Sequence, residues 1–363
     1  KMGKTNRLAA LSTLGATSHR VLSTLSASRR ARQAPAAVID DVVRLHLRTG
    51  VANLAPGQAH WSALGVAENV ACREIELPEL AASDSLYGAC EGENELVRAI
   101  RTKLEQENGV DMSERDVLVT AGANQAFVQA LLALCDVGDE VALFQPYYFS
   151  HRVAMHLCGV KPLLLECNAA GAPSVEQLHR AMSRPSSRLR AIVVTTPSNP
   201  SGAVCPPETI LALREACAAH GAWLIADEAY EHFVHDGASH YSPAQTLPVL
   251  GSGQPGGPNE LLTSKRAQAS ASVVVSMYTF SKSYGLAGWR VGYVAYPSSL
   301  RNEMLKIQDT LPTHATRLSQ RIALRAMHQL GSAWVRRQVA TLAPIREVLW
   351  SAMQPWRCAA SAG

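Results

Sequence analysis

What this 363-residue sequence lacks narrows its chemistry. Its eight cysteines include no C-x-x-C pair and no regular spacing. They therefore read as reduced thiols, neither a zinc ribbon nor a disulfide framework. Its 12 histidines include no H-E-x-x-H and no paired metal spacing, so no metal is expected. No apolar run approaches the ~18–20 residues of a membrane-spanning helix. Acidic residues are missing from positions 1–35, which hold seven basic residues; the remainder has 27 basic against 30 acidic. The net charge of +4 thus belongs to the N-terminus. That segment is rich in Ser, Thr, Ala and Arg, the composition of a transit peptide, and a plastid or mitochondrion is the expected address. The other reading is a disordered basic tail on a cytoplasmic protein. No folded basic face accompanies the tail, so no nucleic-acid partner is expected. Apolar residues at 47% and charged residues at 18% describe a globular chain long enough for two domains.

Four motifs then appear in order. V-L-V-T-A-G-A-N, residues 117–124, reads as a strand, a glycine turn and a helix start. Gly122, Ala123 and Asn124 there offer backbone N–H groups to an anion. No G-K-[ST] follows, and the turn is not G-x-G-x-x-G. T-T-P-S-N-P-S-G, residues 195–202, follows an apolar run and places Asn199 at the C-terminal end of a strand, where open α/β sheets hold ligands. In W-L-I-A-D-E-A-Y, residues 223–230, four apolar residues run into Asp227, with Tyr230 three residues on. A carboxylate at the tip of a buried strand needs a partner, such as a protonated ring nitrogen; a helix N-cap is the plainer alternative. Last, S-K-S-Y-G-L-A-G-W-R, residues 281–290, puts Lys282 on a loop between two apolar strands, eight residues before Arg290. A partly desolvated lysine near a cation has a depressed pKa and can attack a carbonyl. Ser281 and Arg290 can grip a phosphate.

A phosphate, an aldehyde, a ring oxygen and a pyridine nitrogen together describe pyridoxal 5′-phosphate. At this point the chain resembles the fold-type I pyridoxal-phosphate aminotransferases of class I/II, with the motif order matching over residues 50–363. Within the family it resembles plant aromatic aminotransferases of the kind that use methionine as amino donor and indole-3-pyruvate as acceptor. That likeness is carried by L-A-P-G-Q-A-H-W (54–61), T-A-G-A-N-Q-A-F (120–127), P-Y-Y-F (146–149) and K-I-Q-D-T-L-P (306–312). The resemblance implies that Lys282 joins the cofactor aldehyde and moves the proton, and that Asp227 pairs with the ring nitrogen. It further implies that Asn199 and Tyr230 hold the ring oxygen and that Tyr148 stacks on the ring. Gly122, Ala123, Asn124, Ser281 and Arg290 would bind the phosphate. Tyr87 would reach the cofactor of a second subunit in a homodimer, Gly57 would touch the substrate carboxylate, and Trp61 would wall the side-chain pocket. The substrates implied are an L-amino acid and a 2-oxo acid.

The fold class expected is α/β: a mostly parallel sheet covered by helices on both faces, plus a smaller domain. Residues 76–300 form the large domain, interrupted by a Pro/Gly/Ser-rich insertion at 243–272. Residues 36–75 and 301–363 supply the small domain, the second part incomplete. The sequence stops at C-A-A-S-A-G where the family continues, so the arginine that clamps the substrate carboxylate is assigned to no residue here. Alternatives are a carbon–sulfur β-lyase of the same fold, a cofactor-binding chain without turnover, and a transcription regulator, for which residues 1–35 are too Ser/Arg-rich.

Overall fold

The computed structural model describes residues 28–35, 45, 49, 75, 78–247 and 269–360, with side chains described up to 354. Gly57, Trp61 and most of the basic N-terminal segment lie outside the described residues. The first long helix, α1 (Asn94–Asn108), buries Leu96, Ile100 and Leu104 on one stripe and ends at Gly109 in a left-handed conformation. Then strands and helices alternate: β1 (Arg115–Thr120), α2 (Ala123–Leu134), β2 (Glu140–Gln145), α3 (Phe149–Cys158), β3 (Lys161–Glu166), α4 (Val175–Met182), β4 (Leu189–Thr195), α5 (Pro207–His220) and β5 (Trp223–Asp227). After the 248–268 stretch come β6 (Val274–Thr279), the short α6 (Phe280–Ser283) and β7 (Gly292–Pro297). Four helices follow: α7 (Arg301–Thr310), α8 (Arg317–Gln329), α9 (Gly331–Ala340) and α10 (Ala343–Ala360).

The seven strands form one sheet in the order β1-β7-β6-β5-β4-β2-β3. Pairing is parallel from β3 through β6, and β7 runs antiparallel to both of its neighbours. The mostly parallel α/β sheet expected from the sequence is therefore present. Central strands are apolar on both faces because helices cover both. Ile192 and Val194 of β4 join one apolar cluster with α1, α4, α5 and α8, while Ala191 and Val193 join the other with α2 and α3. Residues of α8 and α9 (Ile322, Ala326, Trp334, Val335) belong to the first of these clusters and Met304 of α7 to the second.

The low-complexity stretch is anchored at both ends. The buried Arg214 of α5 donates to the carbonyls of Pro243 and Gln245 and to Ser270 Oγ. Register fixes what matters for function: Thr195 lies beside Asp227, Asp227 beside Met277, and Gly292 beside both Thr279 and Thr120. The motifs of the sequence thus meet along one edge of the sheet.

Candidate active site

Each motif reaches that edge by a strand ending in a turn. After β1, Gly122 adopts φ 87° and caps α2. An added Cβ there would stand 2.7 Å from Arg290 Nη2 and push the guanidinium aside; the positive φ is what requires glycine. No side chain caps α2, and the first N–H groups of a helix have no acceptor within it. Arg290 arrives from the other side in a left-handed conformation, φ 51°. Its Nη2 donates to the Ala121 carbonyl at 3.2 Å and its Nη1 to the Ala287 carbonyl at 3.0 Å. Backbone N–H groups at a helix start beside a guanidinium make an anion cradle. Ser281 is buried, its Oγ accepting from the Thr279 hydroxyl at 2.9 Å, which leaves its own proton to donate.

Lys282 occupies the single helical turn α6, where an irregular loop was expected; the Thr279 hydroxyl caps this turn by accepting from Ser281 N. The Lys282 ammonium lies 5.7 Å from the centroid of the Tyr230 ring. Burial pulls its pKa below the ordinary lysine value, Arg290 pulls it further, and Asp227 opposes them. Asp227, at the tip of β5, is 5% exposed. Its Oδ1 accepts from the Ala229 N–H at 3.1 Å and its Oδ2 lies 3.1 Å from His151 Nε2. No helix starts at Asp227, so the N-cap alternative does not apply; residues 228–233 form a turn. Tyr230 is held protonated: burial, then Asp227 and Tyr148, push its pKa up to about 12. It is thus a hydrogen-bond donor at neutral pH.

Asn199 lies in the loop after β4, half-buried, in a turn closed by Ser198 N donating to the Ala203 carbonyl. Tyr148 immediately precedes α3, its ring edge-on to His151 at 5.2 Å. Tyr87 is 86% exposed and meets His314 edge-on at 6.0 Å; none of the hydrogen bonds described for the cluster involves it.

His151 is the residue that sequence reasoning missed. It is 3% exposed, is packed on Phe127 at 4.3 Å, and has a buried Nδ1 without a hydrogen-bond partner. Its one signal was its place three residues after Tyr148, one helical turn on; its contact with Asp227 had none. Among the described residues no group of His, Cys, Asp and Glu is arranged to hold a metal ion, and no helix is long and apolar enough to cross a membrane.

Comparison with known proteins agrees with this arrangement. The sequence profile of the family "Aminotransferase class I and II" matches residues 50–362. The aromatic aminotransferase ISS1 of Arabidopsis thaliana is 34% identical over 313 residues, 85% of this chain and 71% of the plant protein. An aspartate aminotransferase of Rhizobium meliloti (strain 1021) is 33% identical over 257 residues, 68% of this chain and 57% of its own length. Among solved structures, an aspartate aminotransferase double mutant of Thermus thermophilus superposes with a TM-score of 0.71 at 25% identity, over 92% of this chain and 81% of the other.

Proposed function

The chain belongs to the class I and II aminotransferase family, a family of pyridoxal-phosphate enzymes, and from that premise we propose the reaction it carries out. It moves an amino group from an L-amino acid, aromatic or methionine, to an aromatic 2-oxo acid. The observation that carries the reading is the Lys282 amine, 5.7 Å from the Tyr230 ring centroid, its pKa lowered by burial and by Arg290 against the opposing charge of Asp227.

The residues fit the cofactor on three counts. The uncapped start of α2 with Arg290 against Gly122 suits a phosphate. Asp227 is a buried carboxylate with a proton-bearing partner behind it and lone pairs to spare. Lys282 is an amine made nucleophilic by its surroundings. When bound, pyridoxal phosphate supplies a ring that withdraws electrons from the substrate Cα. The chain supplies the rest. Asp227 holds the proton on the ring nitrogen, with His151 orienting its carboxylate. Tyr230 and Asn199 donate to the ring oxygen. The first turn of α2, Ser281 and Arg290 bind the phosphate. Lys282 would carry the proton between the substrate Cα and the cofactor's C4′.

For the donor class, the support is the identity with a relative named for aromatic substrates over more of this chain than the match to the aspartate enzyme. The same reading includes a homodimer and, for residues 1–35, a transit peptide. Exposed Leu80, Leu86 and Tyr87 support a second copy, as these apolar side chains cluster in one segment.

Borohydride reduction of the cofactor-loaded protein should fix the cofactor on Lys282, and Lys282→Ala should keep phosphate-based binding while losing turnover. A donor panel then tests the class. A higher kcat/KM for aspartate than for phenylalanine, tryptophan and methionine would overturn the aromatic assignment.

A further inference from the structure

The turn after β5 presents four polar side chains in two directions. Asp227 and Tyr230 face the Lys282 amine. Glu228 and Glu231 point into the core, where both are buried. Glu228 Oε1 accepts from the Tyr278 hydroxyl at 2.7 Å and from Ser242 Oγ at 3.1 Å, and its Oε2 lies 2.9 Å from His240 Nε2. Glu231 Oε2 accepts from Lys103 Nζ at 2.5 Å and from Asn108 Nδ2 at 2.8 Å. Lys103 also stands 5.0 Å from the centroid of the Tyr278 ring, which joins the two carboxylate cages. Beside them is a cavity of about 20 Å³ whose lining includes Lys103, Glu231 and His232 together with Thr279, Phe280 and Ser283. Thr279, Phe280 and Ser283 surround Lys282 in sequence. The cluster therefore adjoins both the turn that carries Tyr230 and the turn that carries Lys282.

Two buried carboxylates, of which only Glu231 is paired with an ammonium, are a costly way to end a strand. Apolar side chains of similar volume commonly give equal or greater stability at such sites. What a network of hydrogen bonds adds is direction, because each bond fixes an angle as well as a distance. We propose that Lys103 and Glu231, backed by Tyr278 and Glu228, are positioning residues that set the Tyr230 ring and the Lys282 amine relative to one another. The side chains of Glu231, Tyr278 and Glu228 are buried and that of Lys103 nearly so. The inference rests on the reading of Lys282 as the cofactor-binding amine.

The test is the double variant Lys103→Met/Glu231→Leu, which removes both charges at similar volume and leaves neither unpaired. Its thermal midpoint should fall only modestly, through the buried Asn108 amide left without its acceptor. In the loaded enzyme kcat should fall about 10²-fold, the effect of a reacting group displaced by about 1 Å, with KM little changed. In the cofactor-free protein, the labelling of Lys282 by an amine-reactive reagent is followed against pH. Burial lowers this amine's pKa, so a loosened turn that admits water should move the labelling midpoint upward. Tyr278→Phe, a loss of one hydroxyl, should move both readouts the same way by less, and it carries the test if the double variant does not fold. Unchanged kcat and an unchanged labelling midpoint overturn the inference, as does activity lost only in step with unfolding. Borohydride labelling of a lysine other than Lys282 in the unaltered protein would instead sink the underlying reading.

Discussion

At the scale of single residues, the buried pair Glu231 and His232 fixes how the fold responds to acid. Burial alone would raise the Glu231 pKa, but Lys103, His232 and Asn108 reverse this and bring it down to about 2. Burial lowers His232 to about 4, against a partial opposing effect of Glu231. The signs agree. Between the ordinary histidine value of 6.5 and about 4, the unfolded chain binds a proton at His232 that the folded chain refuses. Stability therefore falls as pH drops through that window. Glu231 contributes stability that is complete above its ordinary value of 4.5 and is lost as pH falls toward 2. Urea midpoints measured from pH 7 to pH 4 should decline, and His232→Phe should flatten that decline by an amount on the order of a few kcal/mol. A His232→Phe protein whose midpoint tracks the parent at every pH would contradict this account.

At the scale of elements, the site is a set of strand ends, and the decisive element is the β1–α2 turn. Gly122 has φ 87° and ψ 171°, a region that costs a residue with a side chain about 1–3 kcal/mol. Gly122→Ala should lower the unfolding free energy by about that much and displace Arg290. Affinity for pyridoxal phosphate, followed by absorbance, should weaken more than affinity for the phosphate-free aldehyde. This element was legible in the sequence, as were the strand ends that carry Asp227 and Lys282. In each, an apolar run fixes the strand and the next few residues fix the turn, so a short window holds all the information. His151, Lys103 and Tyr278 were not legible. Lys103 meets Glu231 across 128 residues and Tyr278 meets Glu228 across 50. No local pattern encodes contacts made only when sheet and helices pack. The single helical turn around Lys282 escaped for a different reason: four residues are too few to show a period.

At the scale of the whole molecule, two expectations concern what lies beyond one folded chain. The segment bearing Leu80, Leu86 and Tyr87 is held by ion pairs of α8: Arg317 with Glu93 and Arg321 with Asp84, each at 2.5 Å. Ordering a segment costs conformational entropy, and this one leaves its apolar side chains 65–86% exposed. Sedimentation at micromolar concentration should show a dimer, and Leu80→Glu together with Leu86→Glu should shift it to monomer; a monomeric parent protein at full cofactor occupancy would refute the pairing. A fluorescent reporter carrying residues 1–35 should enter a plastid or mitochondrion, and a diffuse cytosolic signal would dismiss the transit-peptide reading.

The antiparallel strand β7, wedged between β1 and β6, has a further consequence in time. Arg115–Thr120 pair with Gly292–Pro297, a closure spanning roughly half the chain, and contacts of such long range form slowly. On a ribosome, β2 through β6 can emerge and align before β7 exists, with Asp227 in register with Met277, five residues before Lys282. The phosphate cradle cannot exist then, because Gly122 and Arg290 belong to opposite sides of that last seam. Tight capture of the cofactor therefore waits for the sheet to close, and a ligand that binds only the closed form draws nascent chains across the seam by mass action.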